Sequence, residues 1–357
     1  MIKAALIGCG AVSQLYYAPA LHELENSNLL KVDSVIDPDP DNRLRLVEHF
    51  PDAEMITELE ALVNRNIDIA IITSPPDLHA AQTISLLYNG INVFCEKPLS
   101  TNSADASAMI RASVDTKKVL AVGLLRRHFS STQTIRKILQ SNILGDLKSF
   151  SCQEGHIFRW PVSSASYFDK INGGVLLDIG VHTLDLLIWW LGHPEDIYYE
   201  DDAVNGIEVN CRVKLMFKNN IEGEVRLSRD TELQNKYTFY GSKGWLVWDV
   251  NEADNIQMGF YDFNYHLSAA IMNSNENSIP YLQPTPTNNF QQSFTAQLID
   301  VLSAVKNRTK LLIPIGEALS SIKIIEYCYK NRNLIKMPWL TDSEYFNILR
   351  IIKEPSI

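Results

Sequence analysis

The rhythm of its first third limits this chain's fold more than any other feature. Short apolar runs at residues 3–7, 31–36, 67–73, 92–95 and 119–122 alternate with stretches of helical character. Strands alternating with helices build a doubly wound parallel sheet covered on both faces. In such an α/β sheet, ligands bind in the crevice outside the carboxyl ends of the strands. The residues that follow each run are therefore the first to inspect.

The first run meets Gly8-Cys9-Gly10-Ala11-Val12-Ser13 and then a helix expected to reach Leu24. This is the order of a dinucleotide site: strand, Gly-x-Gly-x-x-small turn, helix. Gly8 permits the tight turn, and Gly10 lets a pyrophosphate approach the helix N-terminus. Ser13 stands where the strict pattern has glycine, but it is small enough for close packing. The second run ends in Asp37-Pro38-Asp39-Pro40. An acid here is where a ribose hydroxyl is held. Asp37 follows the strand directly and is preferred to Asp39. No arginine adjoins it, the nearest downstream being Arg43, so NAD is expected over NADP. Asp41 is expected to cap a helix reaching His49. The third run ends in Ser74-Pro75-Pro76, followed by a helix over 77–89. The fourth ends in Glu96-Lys97-Pro98, an acid, a base and a rigid proline at the crevice. The Lys97–Pro98 bond is expected to be cis, because proline relaxes the trans preference to about 0.5–1 kcal/mol. A helix over 102–116 precedes the fifth run.

Beyond Gly123 the texture changes. Residues 148–158, 209–217, 221–227, 236–240 and 245–250 read as strands, several alternating polar and apolar. That pattern suggests an antiparallel sheet with one face covered. Helices are expected over 131–140, 290–306 and 315–330, a long loop over 268–289, and no element is assigned to 334–357. One further helix carries Gly173-Gly174-Val175-Leu176-Leu177-Asp178-Ile179-Gly180-Val181-His182. Asp178 and His182 are four apart and would share a helix face. They read as a surface pair, a metal half-site or an acid–base pair. A metal site needs more ligands than this spacing supplies, and no metal is expected.

Charge and cysteines narrow the classes. The 357 residues carry a net charge of −10 with no basic cluster, which argues against nucleic acid and anionic membranes as partners. The 5 cysteines are odd in number and scattered, so neither a disulfide framework nor a zinc knuckle is indicated. The N-terminus reads as a strand rather than a signal peptide, and the apolar runs read as too short to span a bilayer. A cytoplasmic location is expected.

Taken together, the glycine turn, Thr73-Ser74-Pro75-Pro76-Asp77-Leu78-His79, Glu96-Lys97-Pro98 and the Gly173–His182 stretch resemble the glucose-fructose oxidoreductase / inositol 2-dehydrogenase (Gfo/Idh/MocA) family. The resemblance runs from Met1 to about Asn333. It implies a Rossmann domain over residues 1–123 and an α+β domain over 124–357 with an open-faced, mostly antiparallel sheet. Family members pair through that sheet, so a homodimer or homotetramer is implied. It also implies hydride transfer between NAD(P) and a hydroxyl or keto carbon of a sugar, cyclitol or sugar derivative. The implied cofactor residues are Gly8 through Ser13, Asp37, Thr73, Ser74, Pro75, Pro76, His79, Glu96 and Lys97. Lys97, Asp178 and His182 fall on the family's catalytic positions, and Arg127 and His156 on positions that touch substrate. Ile179 stands where some members carry a polar substrate contact, which argues against myo-inositol. In this chemistry His182, with a pKa near neutrality, suits a general base. Asp178 would orient the imidazole or bind a neighbouring hydroxyl, and Lys97 would donate to the developing alkoxide. Two alternatives stand beside this reading. A dinucleotide-binding sensor or regulator without turnover would be expected to lose the lysine or the histidine. A reductase of an imine, pyrrole or linear tetrapyrrole would share the architecture, but the Asp–His pair favours a hydroxyl.

Overall fold

The computed structural model describes residues 1–63, 65–161, 168–263, 266–270, 287 and 289–353. Two sheets organise the chain. The first holds β1 (Ile2–Ile7), β2 (Leu30–Ile36), β3 (Glu54–Ile56), β4 (Ile69–Ile72), β5 (Asn92–Cys95) and β6 (Leu120–Val122). Its order is β3-β2-β1-β4-β5-β6 and every neighbouring pair is parallel. The order reverses beside β1, so the crevice opens where the glycine turn and Ser74 meet. β4 is buried at every position, as strands covered on both faces are.

Between these strands lie α1 (Ala18–Asn26), α2 (Pro40–Leu44), α3 (His79–Tyr88) and α4 (Ser103–Thr116). A π-helical turn over Ser13–Tyr17 leads into α1. The expected helix from Asp41 to His49 is shorter and starts earlier. Asp39 caps it through the Asp41 amide, and Pro40 takes the first turn, where its missing N–H costs nothing. Strand β3 went unread, because three residues at a sheet edge carry too little periodicity.

The second sheet comprises β7 (Leu147–Gly155), β8 (Asp196–Asp201), β9 (Asn210–Phe217), β10 (Ile221–Ser228), β11 (Lys236–Gly241), β12 (Gly244–Asp249), β13 (Asn255–Phe260), β14 (His266–Ala270) and β15 (Asn333–Leu334). The order is β14-β13-β12-β11-β7-β10-β9-β8-β15. All neighbours are antiparallel except β10 with β7 and β15 with β8. Along β9 the side chains of Cys211, Val213, Leu215 and Phe217 are buried, while those between them are not. The covered face receives α5 (Ser130–Gln140) and α6 (Val181–Leu191), with Trp190 edge-on to Tyr237, Phe239 and Trp248. The opposite face exposes Tyr198 and Tyr240.

α7 (Phe290–Asn307) packs against α1 and β5, α8 (Ile315–Lys330) packs against β6 of the first sheet and β8 of the second, and α9 (Asp342–Lys353) occupies part of the stretch left unassigned. β14 replaces the start of the expected loop at 268–289, most of which lies outside the described residues. Among the described residues one stretch, Lys170–Leu191, is long and apolar enough to cross a membrane, contrary to the expectation of none. Its apolarity has a local cause: 72% of its apolar 18-residue window is buried in this core.

Candidate active site

The carboxyl ends of the first sheet and the covered side of the second border one cleft of ≈ 1060 Å³. At one end the backbone does most of the shaping. Gly8 sits at φ +86°, and a Cβ there would lie 2.5 Å from the Ser74 nitrogen. Only glycine permits this approach of the first turn to the third. The Ser13 and Thr73 hydroxyls and the Gly8 carbonyl lie within hydrogen-bond distance of one another, the two hydroxyl protons shared among the three contacts. Asp37 closes the end of β2. Its Oδ2 accepts the Cys9 amide at 2.7 Å and its Oδ1 the Asp39 amide at 2.9 Å. The Arg43 guanidinium folds back to donate to the Asp37 carbonyl. The expectation that no arginine adjoins Asp37 is therefore corrected: α2 is one turn long and returns Arg43 to it.

Gly8, Gly10, Ala11, Val12, Asp37, Thr73, Ser74, Pro75, Pro76, Glu96 and Lys97 all line the cleft. Cys9, Ser13 and His79 do not. The Cys9 and Ser13 side chains are fully buried beneath the turn. The buried His79 ring lies between the carbonyls of Pro98 (2.8 Å) and Ser74 (3.0 Å), tying the third strand end to the fourth.

The Lys97–Pro98 bond is cis. Glu96 is buried and accepts from the Tyr17 hydroxyl at 2.8 Å and from the Lys97 amide. Burial pushes its carboxyl up to about 7, against the pull of the Lys97 charge. Lys97 reaches across the cleft. Its ammonium donates to Asp178 Oδ1 at 2.7 Å and to the Asp178 carbonyl at 3.2 Å.

Glu208 sets the segment that carries Asp178. Its carbonyl and carboxylate take the Val175 and Leu176 amides, the open donors of a helix start. Gly174 is required because a Cβ there would strike the Glu208 carboxylate and carbonyl. The glycines thus admit a neighbouring loop. Residues Leu176–Gly180 then form a π-helical turn before α6, so Asp178 and His182 do not sit on a uniform α-helix. Asp178 Oδ1 is taken by Lys97 and Oδ2 by Arg229, at 2.8 Å. His182 lines the same cleft, and its buried Nδ1 has no hydrogen-bond partner among the described residues. Asp178 therefore does not hold the imidazole through Nδ1.

The expected His182 pKa near neutrality is also corrected. Burial holds it well below 6.5, reinforced by the positive charges of Arg126 and Lys97. The ring is neutral across the physiological range, a form that accepts a proton.

Of the two residues expected to touch substrate, His156 lines the cleft and is exposed, while Arg127 does not line it. Arg127 is 1% exposed, forked onto Asp185 at 2.8 and 2.6 Å, and bonded at 2.5 Å to Glu317. Its neighbour Arg126 faces the cleft instead, bidentate to buried Glu154 at 2.7 Å. A tight turn over Leu125–His128 sends adjacent side chains to different sides. Arg229 was missed. It is the first residue after β10, at the carboxyl end of a strand parallel to β7. The strand-end rule that singled out Lys97 applies there too.

Comparison with known proteins bears on the whole arrangement. Residues 2–124 match the profile of an oxidoreductase family with an NAD-binding Rossmann fold, and residues 132–247 that of the GFO/IDH/MocA C-terminal domain. The chain is 24% identical over 245 residues to Oxidoreductase P35 of Formosa agariphila, covering 67% of this chain and 73% of that one. It is 27% identical over 200 residues to the scyllo-inositol 2-dehydrogenase (NADP(+)) IolW of Bacillus subtilis, covering 55% and 53%. KijD10, a 3-ketoreductase from Actinomadura kijaniata solved with NADP and TDP-benzene, superposes with a TM-score of 0.78 at 19% identity, over 94% of this chain and 99% of that one. Levoglucosan dehydrogenase, solved with NADH and levoglucosan, superposes with a TM-score of 0.77 at 19% identity, over 92% and 98%.

Proposed function

The chain belongs to the GFO/IDH/MocA family of oxidoreductases, and from that premise we propose how it works. It is an NAD(P)-dependent oxidoreductase acting on a carbinol or keto carbon of a sugar, cyclitol or sugar derivative. The observation that carries the reading is continuity. Lys97, Asp178 and His182 border the same cleft as Gly8, Gly10 and Asp37.

A dinucleotide fits these residues. Gly8 lets the first turn lie against the Ser74 backbone, Gly8 and Gly10 line the cleft beside it, and Asp37 stands at the end of β2 for a ribose hydroxyl. Gly8, Gly10, Ala11 and Val12 would hold the pyrophosphate, Asp37 the adenosine ribose, and Ser74, Pro75, Pro76 and Glu96 the nicotinamide half. NAD is the cofactor of choice, because a 2′-phosphate would face the Asp37 carboxylate. When bound, the nicotinamide supplies the hydride acceptor or donor.

The chain supplies position and charge. Lys97 donates to the reacting oxygen and stabilises the negative charge that grows there. Its anchoring to Asp178 fixes the ammonium at the cleft wall. Neutral His182 takes the hydroxyl proton during oxidation and returns it during reduction. Asp178 binds a neighbouring hydroxyl only by sharing oxygens that Lys97 and Arg229 already occupy. The open face of the second sheet, with Tyr198 and Tyr240 exposed, suits pairing into a homodimer or homotetramer. Buried, unpaired cysteines suit a cytoplasmic setting.

The test is a panel of sugars, cyclitols and sugar derivatives with NAD and NADP, followed at the nicotinamide absorbance. Turnover of at least one carbinol, lost in Lys97→Met while NADH still binds, supports the reading. NADH binding without turnover across the panel would favour the non-catalytic sensor.

A further inference from the structure

The two ends of the cleft differ in charge. The ribose end is bordered by Asp37, Asp39, Glu58 and Glu60. The chemical end is bordered by the cations Lys97, Arg126 and Arg229, and Arg159 lines the same cleft. Among the described residues, two carboxylates answer those cations in direct ion pairs. Asp178 is shared by Lys97 and Arg229, and Glu154 is taken by Arg126. Arg159 has no hydrogen-bond or ion-pair partner among the described residues. A further carboxyl lining this end, Glu96, is pushed up to about 7 by its burial. The chemical end therefore keeps an excess of positive charge within a chain whose net charge is −10.

That excess is built into the fold. Beyond β7 and β10 the backbone continues in extended pairing, with the Phe158 amide donating to the Arg229 carbonyl at 2.7 Å. The Arg229 guanidinium lies 5.6 Å from the Phe158 ring centroid and is 8% exposed. Arg159 follows Phe158 directly and lines the same cleft. Arg229, held on that ring and sharing Asp178 with Lys97, and Arg159, without a counter-ion among the described residues, both line the cleft. A neutral polyol gives Arg159 nothing to neutralise. A carboxylate or phosphate accepts the planar fork of an arginine with two parallel bonds.

We propose that the substrate carries an oxyanionic substituent, a carboxylate or a phosphate, and that Arg229 and Arg159 form the subsite that receives it. This rests on the reading of the cleft as the site of hydride transfer. It adds a substrate class: sugar acids or sugar phosphates rather than neutral sugars. The surplus charge also draws anions into a cleft whose outer end repels them, which orients the substrate along it.

The test is calorimetric titration of the NADH complex with matched probes: hexuronates and their methyl esters, and hexose 6-phosphates and the parent hexoses. Turnover with NAD is measured on the same set. At least one anionic probe is expected to bind about tenfold or more tightly than its neutral counterpart. Whether uronate or phosphate does so identifies the group. Arg159→Gln, an exposed position that leaves the core intact, should reduce that preference about tenfold while neutral probes are unaffected. Added salt should weaken the preference as well. Neutral probes binding as well as anionic ones, or no anionic probe binding, would overturn the inference. Turnover confined to neutral sugars would overturn it while leaving hydride transfer standing. Tight anion binding without oxidation would do the reverse.

Discussion

The two ends of the cleft are made in different ways. At the ribose end, backbone geometry dominates. One left-handed glycine, one strand-end carboxylate and a pair of hydroxyls on the Gly8 carbonyl come from three neighbouring strand ends of one sheet. At the chemical end, side chains dominate. Lys97 and Arg229 arrive from strand ends of the two sheets, Arg126 from a turn and Asp178 and His182 from a helical segment, and Lys97, Asp178 and Arg229 are held by one another's charges. The first end needs a conformation, and a few residue types at fixed spacing provide it. The second needs a charge balance, which exists only once the chain has folded.

That difference can be broken at either end. The largest effect is expected from Lys97→Met. Losing a donor aimed at a developing oxyanion typically costs roughly 10²–10³-fold in turnover, and NADH affinity should change little because the backbone cradle is intact. Equal loss of NADH binding and turnover, measured by fluorescence titration and steady-state kinetics, would mean the two ends are not separable. Next comes Gly8→Ala, which acts at the other end. The new Cβ meets the Ser74 nitrogen at 2.5 Å, and φ is +86°. Strain of this kind costs about 1–3 kcal/mol, so thermal unfolding without cofactor should move downward and NADH affinity should fall. An unchanged melting temperature would show that the turn tolerates a side chain. The smallest effect is expected from Asp37→Ser, which should erode the NAD over NADP preference by roughly tenfold, read as the ratio of kcat/KM values. Arg43, already bonded to the Asp37 carbonyl, would then have no carboxylate between it and a 2′-phosphate. A ratio unchanged by the substitution would leave Asp37 as a turn residue only.

The contrast also explains what the sequence disclosed. The parallel sheet, Gly8, Asp37 and Lys97 were legible because each follows an apolar run directly, and the run fixes which residues reach the crevice. Asp178 and His182 were legible as a pair but not in their partners. Only the folded chain shows that Glu208 fills the space above Gly174 and that Arg229 takes the second oxygen of Asp178. Arg126 and Arg127 were exchanged because a one-residue phase in a short turn has no signature in composition. The low pKa of His182 could not be read at all, since it arises from burial and from Arg126 and Lys97, both distant in sequence.

The central claim is that neutral, buried His182 handles the proton beside Lys97. The pH dependence of kcat/KM for oxidation tests it most directly, in wild type and in the Arg126→Gln and His182→Ala variants. The proton-accepting form exists above the folded pKa, and that pKa lies well below 6.5. The rate should therefore rise with pH along a limb on the acid side of 6.5 and stay level through neutrality. Arg126→Gln removes a charge that depresses the pKa, so the limb should move to higher pH. His182→Ala should abolish it and lower the rate by roughly 10²–10⁴-fold. A wild-type limb at or above neutrality, or one that survives unchanged in His182→Ala, would contradict the account.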